Sequence, residues 1–215
     1  MREPPRSSVQ SEQIGEGSKP SYRIWTNRNL WLVAILLFIN CFAFYAWIGW
    51  APELMVMKGA SPDLAALMAS VVMWVSLPIA FVVPWISDKL GLRKPFLWPS
   101  FLVLALVPLV AIYAPLSLGW LLMAAFGIGS GAQLVILLVL PVELLPAEAV
   151  GRASGMILSI AYIGGLVGPW ITGHIIDSTG NLNLALVVLI VLSAVAIYVA
   201  LRLPETGPRA RLYKR

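Results

Sequence analysis

Six long apolar stretches, separated by short polar joints, dominate the chain. They run approximately Leu30 to Trp50, Leu64 to Ile86, Phe96 to Ala114, Leu118 to Leu140, Ser154 to Ile176 and Leu182 to Leu201. Each approaches the ~20 residues a helix needs to cross hydrocarbon. The pattern predicts an all-α membrane protein with six transmembrane helices. Of the 15 Lys and Arg residues, only Lys58 falls in a joint on the opposite side from all the others. Lys and Arg in short loops set topology, so those others mark the cytoplasmic side. The expectation is a multi-pass inner-membrane protein with both termini cytoplasmic. The outer joints are then Ala51 to Asp63, Pro115 to Ser117 and Asp177 to Asn181, and the inner joints Ser87 to Pro95 and Pro141 to Ala153.

Composition narrows the function classes. Apolar residues make up 60% and charged residues 12%, about half the charge of a soluble domain. The net charge of +5 resides in loops and tails, where orientation and anionic lipid account for it without nucleic acid. Cys41 is the only cysteine and there is one histidine, so no intrachain disulfide forms and no metal-ligand cluster is visible. Residues 1–29 form a polar, Pro- and Ser-containing cytoplasmic lead, residues 30–203 the six-helix bundle, and residues 204–215 a basic cytoplasmic tail. Ser61-Pro62-Asp63 has the chemistry of a helix start: a cap, a proline at the first turn and an acid at the positive dipole end.

An internal echo links the ends of spans 2 and 5. Pro84-Trp85-Ile86 precedes Asp88 and Gly91, and Pro169-Trp170-Ile171 precedes Asp177 and Gly180. Three spans separate the copies, so they point to opposite sides, as in an inverted three-plus-three repeat.

Four motifs carry a family resemblance. The joint after span 2 reads Pro84-Trp85-Ile86-Ser87-Asp88-Lys89-Leu90-Gly91-Leu92-Arg93-Lys94. It resembles the signature loop of the major facilitator superfamily, G-x-x-x-D-R/K-x-G-x-R/K-R/K, with proline at the first position. Read physically, Asp88 needs a partner, Gly91 permits a tight turn, and Lys89, Arg93 and Lys94 anchor the loop inside. Span 5 carries Gly155, Gly164, Gly168, Pro169 and Gly173. Their spacing resembles the fifth helix of a facilitator half, and small residues there allow close helix packing. Glu143 and Arg152 flank the joint between spans 4 and 5. The resemblance implies a cytoplasmic charge network of Asp88, Glu143 and Arg152. Pro204-Glu205-Thr206-Gly207 resembles the segment after the last facilitator helix. With the polar lead, it implies the C-terminal half of a twelve-helix carrier, loosely similar to the cyanate-permease-like members.

The resemblance further implies that spans 1 and 4 line a solute cavity. Those spans hold mid-membrane polar groups, Asn40 in span 1 and Ser130 and Gln133 in span 4, with Tyr45 and Trp47 beside the first. A polar amide in hydrocarbon is costly unless paired, so it faces protein or water. The expected function is transport of a small solute by alternating access, against a second six-helix half supplied by a separate chain or by a second copy. No cofactor is implied. The alternatives are a non-transporting membrane module or an inactive half-transporter fragment. An intramembrane protease fits poorly. Ile128 stands where the G-x-S-G motif needs its first glycine before Ser130, and His174 lies near the end of span 5.

Overall fold

The computed structural model describes residues 24–209, so the polar lead up to residue 23 and the basic residues Arg211, Lys214 and Arg215 lie outside it. Within that range there are six long helices: α1 (Arg28–Met57), α2 (Pro62–Leu90), α3 (Lys94–Tyr113), α4 (Gly119–Leu144), α5 (Ala147–Thr179) and α6 (Leu182–Arg202). All six are long and apolar enough to cross a membrane. Short 3-10 turns at Ile24–Thr26 and Leu116–Leu118 lead into α1 and α4.

Local chemistry sets the boundaries. Asn27 Oδ1 accepts from the N–H of Asn29 at 2.9 Å and opens α1. Ser61 Oγ accepts from Leu64 N–H at 3.3 Å, with Pro62 first in α2. Gly91, at φ 68°, ends α2 in the left-handed region that favours glycine. Four helices outrun their apolar cores. The joint expected over residues 141–153 shrinks to Leu145 and Pro146, because Pro141 stays inside α4 and Ala147 already begins α5. Each proline removes one backbone hydrogen bond, a loss that packed transmembrane helices tolerate, so neither Pro141 nor Pro52 terminates its helix, and Pro78, Pro108 and Pro169 do not either. Glu143 therefore sits in the last turn of α4, and Arg152 lies in α5.

α1 packs most extensively on α5, α2 on α4, and α3 on α6. Exchanging helices 1–3 with 4–6 maps the first pair onto the second and the third onto itself, the pairing an inverted repeat requires. Glycines bring two of these pairs together. A Cβ on Gly127 or Gly131 of α4 would lie 2.6 Å from the carbonyl oxygen of Val72 or Ser76 in α2. One on Gly168 of α5 would lie 2.6 Å from the Phe42 carbonyl, and Gly164 packs as closely on the Phe38 carbonyl. Gly173 abuts the Trp50 ring. Gly155, expected in the same packing stripe, faces open space, because it lies on the exposed face of α5 while Ala153, Met156 and Ile157 beside it turn into the core.

The buried side chains form two apolar clusters. One gathers Leu37, Leu97, Phe101, Ile136, Leu137 and Ile157, the other Trp47, Met55, Leu104, Met123, Phe126 and Leu186. Asn40, Ser130 and Gln133 are buried but belong to neither.

Candidate functional site

The polar residues of α1 and α4 meet. Asn40 Nδ2 donates to Gln133 Oε1 at 2.8 Å, and the pair is buried. Gln133 Nε2 has no partner among the described residues. A donor left unsatisfied in an apolar setting costs about 1–3 kcal/mol, so the layer has polar capacity left over. Ser130 Oγ donates to the Gly127 carbonyl at 3.3 Å within its own helix.

Beside this layer lies a cavity of about 250 Å³ between α1, α2, α4 and α5. Asn40, Tyr45 and Ser130 line it, whereas Gln133 is behind Asn40 and does not. Trp47 does not reach the cavity. It stacks on Phe126 of α4 with centroids 4.8 Å apart and sits fully in the core, because two residues along a helix from Tyr45 the side chain points elsewhere. Sequence reasoning overlooked the α2 wall of Met73, Ser76, Leu77 and Ala80, and it gave no place in the cavity to Cys41, which also lines it. The sequence signal in that wall was Ser76, a hydroxyl within an apolar run. Among the described residues that line the cavity there is no Asp, Glu, Lys, Arg or His. Nothing pairs Ser130 with His174, which is exposed and stacked on Trp170.

The second constellation lies at the end of the bundle that holds the loop between α2 and α3. Its hub is Arg93, where the resemblance implied Arg152. Arg93 Nε and Nη2 donate to Glu143 Oε1 at 3.0 and 2.7 Å, and Nη2 also reaches Asp88 Oδ1 at 2.5 Å. Arg152 is exposed on α5 and forms no ion pair among the described residues. The reason is local. The Gly91 turn folds the loop back so that Arg93, at the threshold of α3, points at the last turn of α4. Burial works against the charge on Arg93, but the Glu143 and Asp88 carboxylates outweigh it and hold its pKa above the usual arginine value.

The segment after α6 completes this cluster, a role that its sequence did not reveal. Glu205 caps α3, accepting from the N–H groups of Arg93 and Lys94 at 2.7 and 3.1 Å. Thr206 Oγ1 donates to Glu143 Oε2 at 2.8 Å. Lys89 lies over the Trp85 ring, 3.6 Å from its centroid, and Lys94 Nζ donates to the Leu201 carbonyl at 2.6 Å.

Comparisons with known proteins agree with this architecture. A family model described as Major Facilitator Superfamily matches residues 33–214. An uncharacterized transporter, YycB of Bacillus subtilis, is 28% identical over 177 residues, which cover 79% of this chain and 43% of that protein. The 2-nitroimidazole transporter of Escherichia coli is 26% identical over 172 residues, with the same 79% and 43% coverage. The chain thus spans less than half the length of these two relatives. An uncharacterized protein of Archaeoglobus fulgidus is 26% identical over 179 residues, covering 83% of this chain and 81% of that one. Among solved structures, a peptide transporter POT in complex with sulfate superposes with a TM-score of 0.70 at 14% identity, covering 80% of this chain and 37% of that chain. This last likeness shows the fold alone.

Proposed function

The chain belongs to the Major Facilitator Superfamily, and from that premise we propose that it is one six-helix half of a carrier for a small solute, working by alternating access. The observation that carries this reading is the cavity, in which the amide of Asn40 is held by Gln133 in a mostly apolar wall. An amide so placed can give or take hydrogen bonds with a solute, and Tyr45 and Tyr162 supply aromatic surface. The flank beside the cavity is apolar and open. Trp74 is 75% exposed on α2, and Leu166 and Trp170 are 77% and 70% exposed on α5. A second six-helix half, a separate chain or a second copy, closes the cavity there. The relative spanned over 81% of its length supports the idea that half-sized chains of this kind exist. The sequence features after α6 favour the C-terminal half, placed in the inner membrane with both termini cytoplasmic. The polar lead, residues 1–29, then serves as the former central loop and residues 204–215 as a basic cytoplasmic tail. The charge cluster of Arg93, Asp88 and Glu143 acts in this reading as part of the cytoplasmic gate.

Site accessibility tests the reading. In a Cys41→Ala background, Asn40→Cys reacts with a small hydrophilic methanethiosulfonate, while Leu36→Cys and Leu137→Cys, buried in the apolar core, do not. The 2-nitroimidazole named in one relative's description is the first solute to try. If it binds, it slows modification at native Cys41, and Asn40→Leu weakens that protection roughly fivefold, the worth of one neutral hydrogen bond. Equal inertness at positions 36, 40 and 137 refutes the cavity assignment.

A further inference from the structure

The seam between α3 and α6 carries a feature that neither the cavity nor the charge cluster uses. Two cations lie along it, one on each helix. Lys94, at the start of α3, donates from Nζ to the Leu201 carbonyl at 2.6 Å, so its charge sits beside the last turn of α6. The next residue, Arg202, is exposed, donates from Nη2 to Tyr198 Oη at 2.6 Å and lies over the Tyr198 ring, 4.8 Å from its centroid. Both side chains are thereby fixed rather than free to sweep through solvent. Among the described residues neither forms an ion pair; both ion pairs there belong to Arg93. Glu205, the carboxylate just beyond α6, is engaged by four backbone N–H groups, those of Arg93, Lys94, Thr206 and Gly207. Two like charges at the same end of one helix pair, neither matched by a carboxylate, favour an anion that both can reach.

The surroundings identify the anion. Leu201 is exposed next to Arg202, and the seam continues along the bundle as exposed Trp98, Leu102, Leu106 and Val195. Together with Tyr198, Trp98 supplies the amphipathic rings that settle at headgroup level, and below them the surface suits acyl chains. A free phosphate would use the cations and leave this apolar surface idle. We propose that the Lys94–Arg202 pair is a headgroup site for an anionic phospholipid, whose phosphodiester bridges the two cations while its chains lie along the α3–α6 seam. Basic pockets between helix ends bind such headgroups by the same chemistry. Because the cations are already positioned, little side-chain ordering opposes binding. The proposal needs only a membrane-embedded chain, so its outcome is independent of whether the chain transports.

The test is the thermal unfolding of the full-length chain in neutral detergent. Phosphatidylglycerol is compared with phosphatidylcholine and with inorganic phosphate. At about five times its Kd, the anionic lipid raises the Tm by about 2–4 °C. The increment is retained in Lys89→Gln, is at least halved in Arg202→Gln, and vanishes in Lys94→Gln/Arg202→Gln. Among the described residues the polar and ring contacts of the Arg202 side chain are to Tyr198 of its own helix, so Arg202→Gln carries the test if the double variant does not fold. The proposal is wrong if wild type shows no lipid-dependent shift, if Arg202→Gln keeps the full increment, if Lys89→Gln loses it equally, or if inorganic phosphate reproduces it.

Discussion

Replacing Arg93 or Glu143 removes one side of an ion pair whose side chains are only 7% and 11% exposed. Two donors of the guanidinium converge on one carboxylate oxygen, so Arg93→Met strands the Glu143 charge and Glu143→Leu strands the guanidinium. Breaking such a pair from one side costs about 3–5 kcal/mol, whereas replacing both partners by apolar groups is far cheaper. Each single variant should therefore lose about 3–5 kcal/mol of stability. The double variant should lose about 1–2 kcal/mol, from the hydrogen bonds that Thr206 and Ser87 make to the removed side chains. The coupling energy is then at least ~4 kcal/mol by subtraction at the lower limits. Asp88 is 60% exposed, so water replaces much of its share, and an Asp88→Asn/Arg93→Met cycle should give no more than ~1 kcal/mol. An Asp88→Asn/Arg152→Met cycle should be additive within about 0.5 kcal/mol. The assay is reversible unfolding in mixed micelles, followed by fluorescence, with all variants in one detergent composition. Coupling below ~0.5 kcal/mol between Arg93 and Glu143 would refute the hub. So would stronger coupling of Asp88 to Arg152 than to Arg93, which would restore the arrangement implied by family resemblance.

Two further outcomes follow from packing and charge. Gly127→Val and Gly164→Val each drive a side chain into a backbone carbonyl of the neighbouring helix and should cost at least ~1–3 kcal/mol, measurable as lost monodisperse yield and lowered Tm; Gly155→Val meets open space and should be near neutral. For topology, single cysteines at positions 58 and 174 should be labelled by an impermeant thiol reagent in intact cells, and cysteines at 94 and 152 only after permeabilisation; labelling of position 94 from outside would invert the proposed orientation.

The number and order of helices could be read from the chain because hydrocarbon admits few solutions. An apolar run of this length has to satisfy its backbone internally, and a helix does so. The facing of those helices was less legible. In a soluble protein the polar side of a helix names its outer face. Here both faces are apolar, so Tyr45 and Trp47 look alike in sequence although one borders the cavity and the other is sealed against Phe126. Charge partners were hidden for a different reason. Asp88 had several arginines within plausible reach, and the choice depended on the Gly91 turn and on Glu205 capping α3 from more than a hundred residues away.

The exceptions show where sequence does speak about facing inside a membrane. Asn40 and Gln133 stood out because an amide in hydrocarbon needs a partner, and the two amides supply one another across α1 and α4. The glycines stood out because a missing Cβ is informative only where another backbone comes close. That held for Gly164 and Gly168 and failed for Gly155. Both signals report contact between helices, and neither reports which of two contacting groups borders open space. Asn40 and Gln133 are equivalent as a pair. It is the small residues around them that break the tie, since Gly131 lets α2 close over α4 and leaves Asn40, on α1, facing the cavity. Widening position 131 should therefore disturb the cavity as well as the helix contact. Gly131→Ala puts a methyl 2.6 Å from the Ser76 carbonyl oxygen, which α2 can relieve only by moving away from α4, and α2 carries one wall of the cavity.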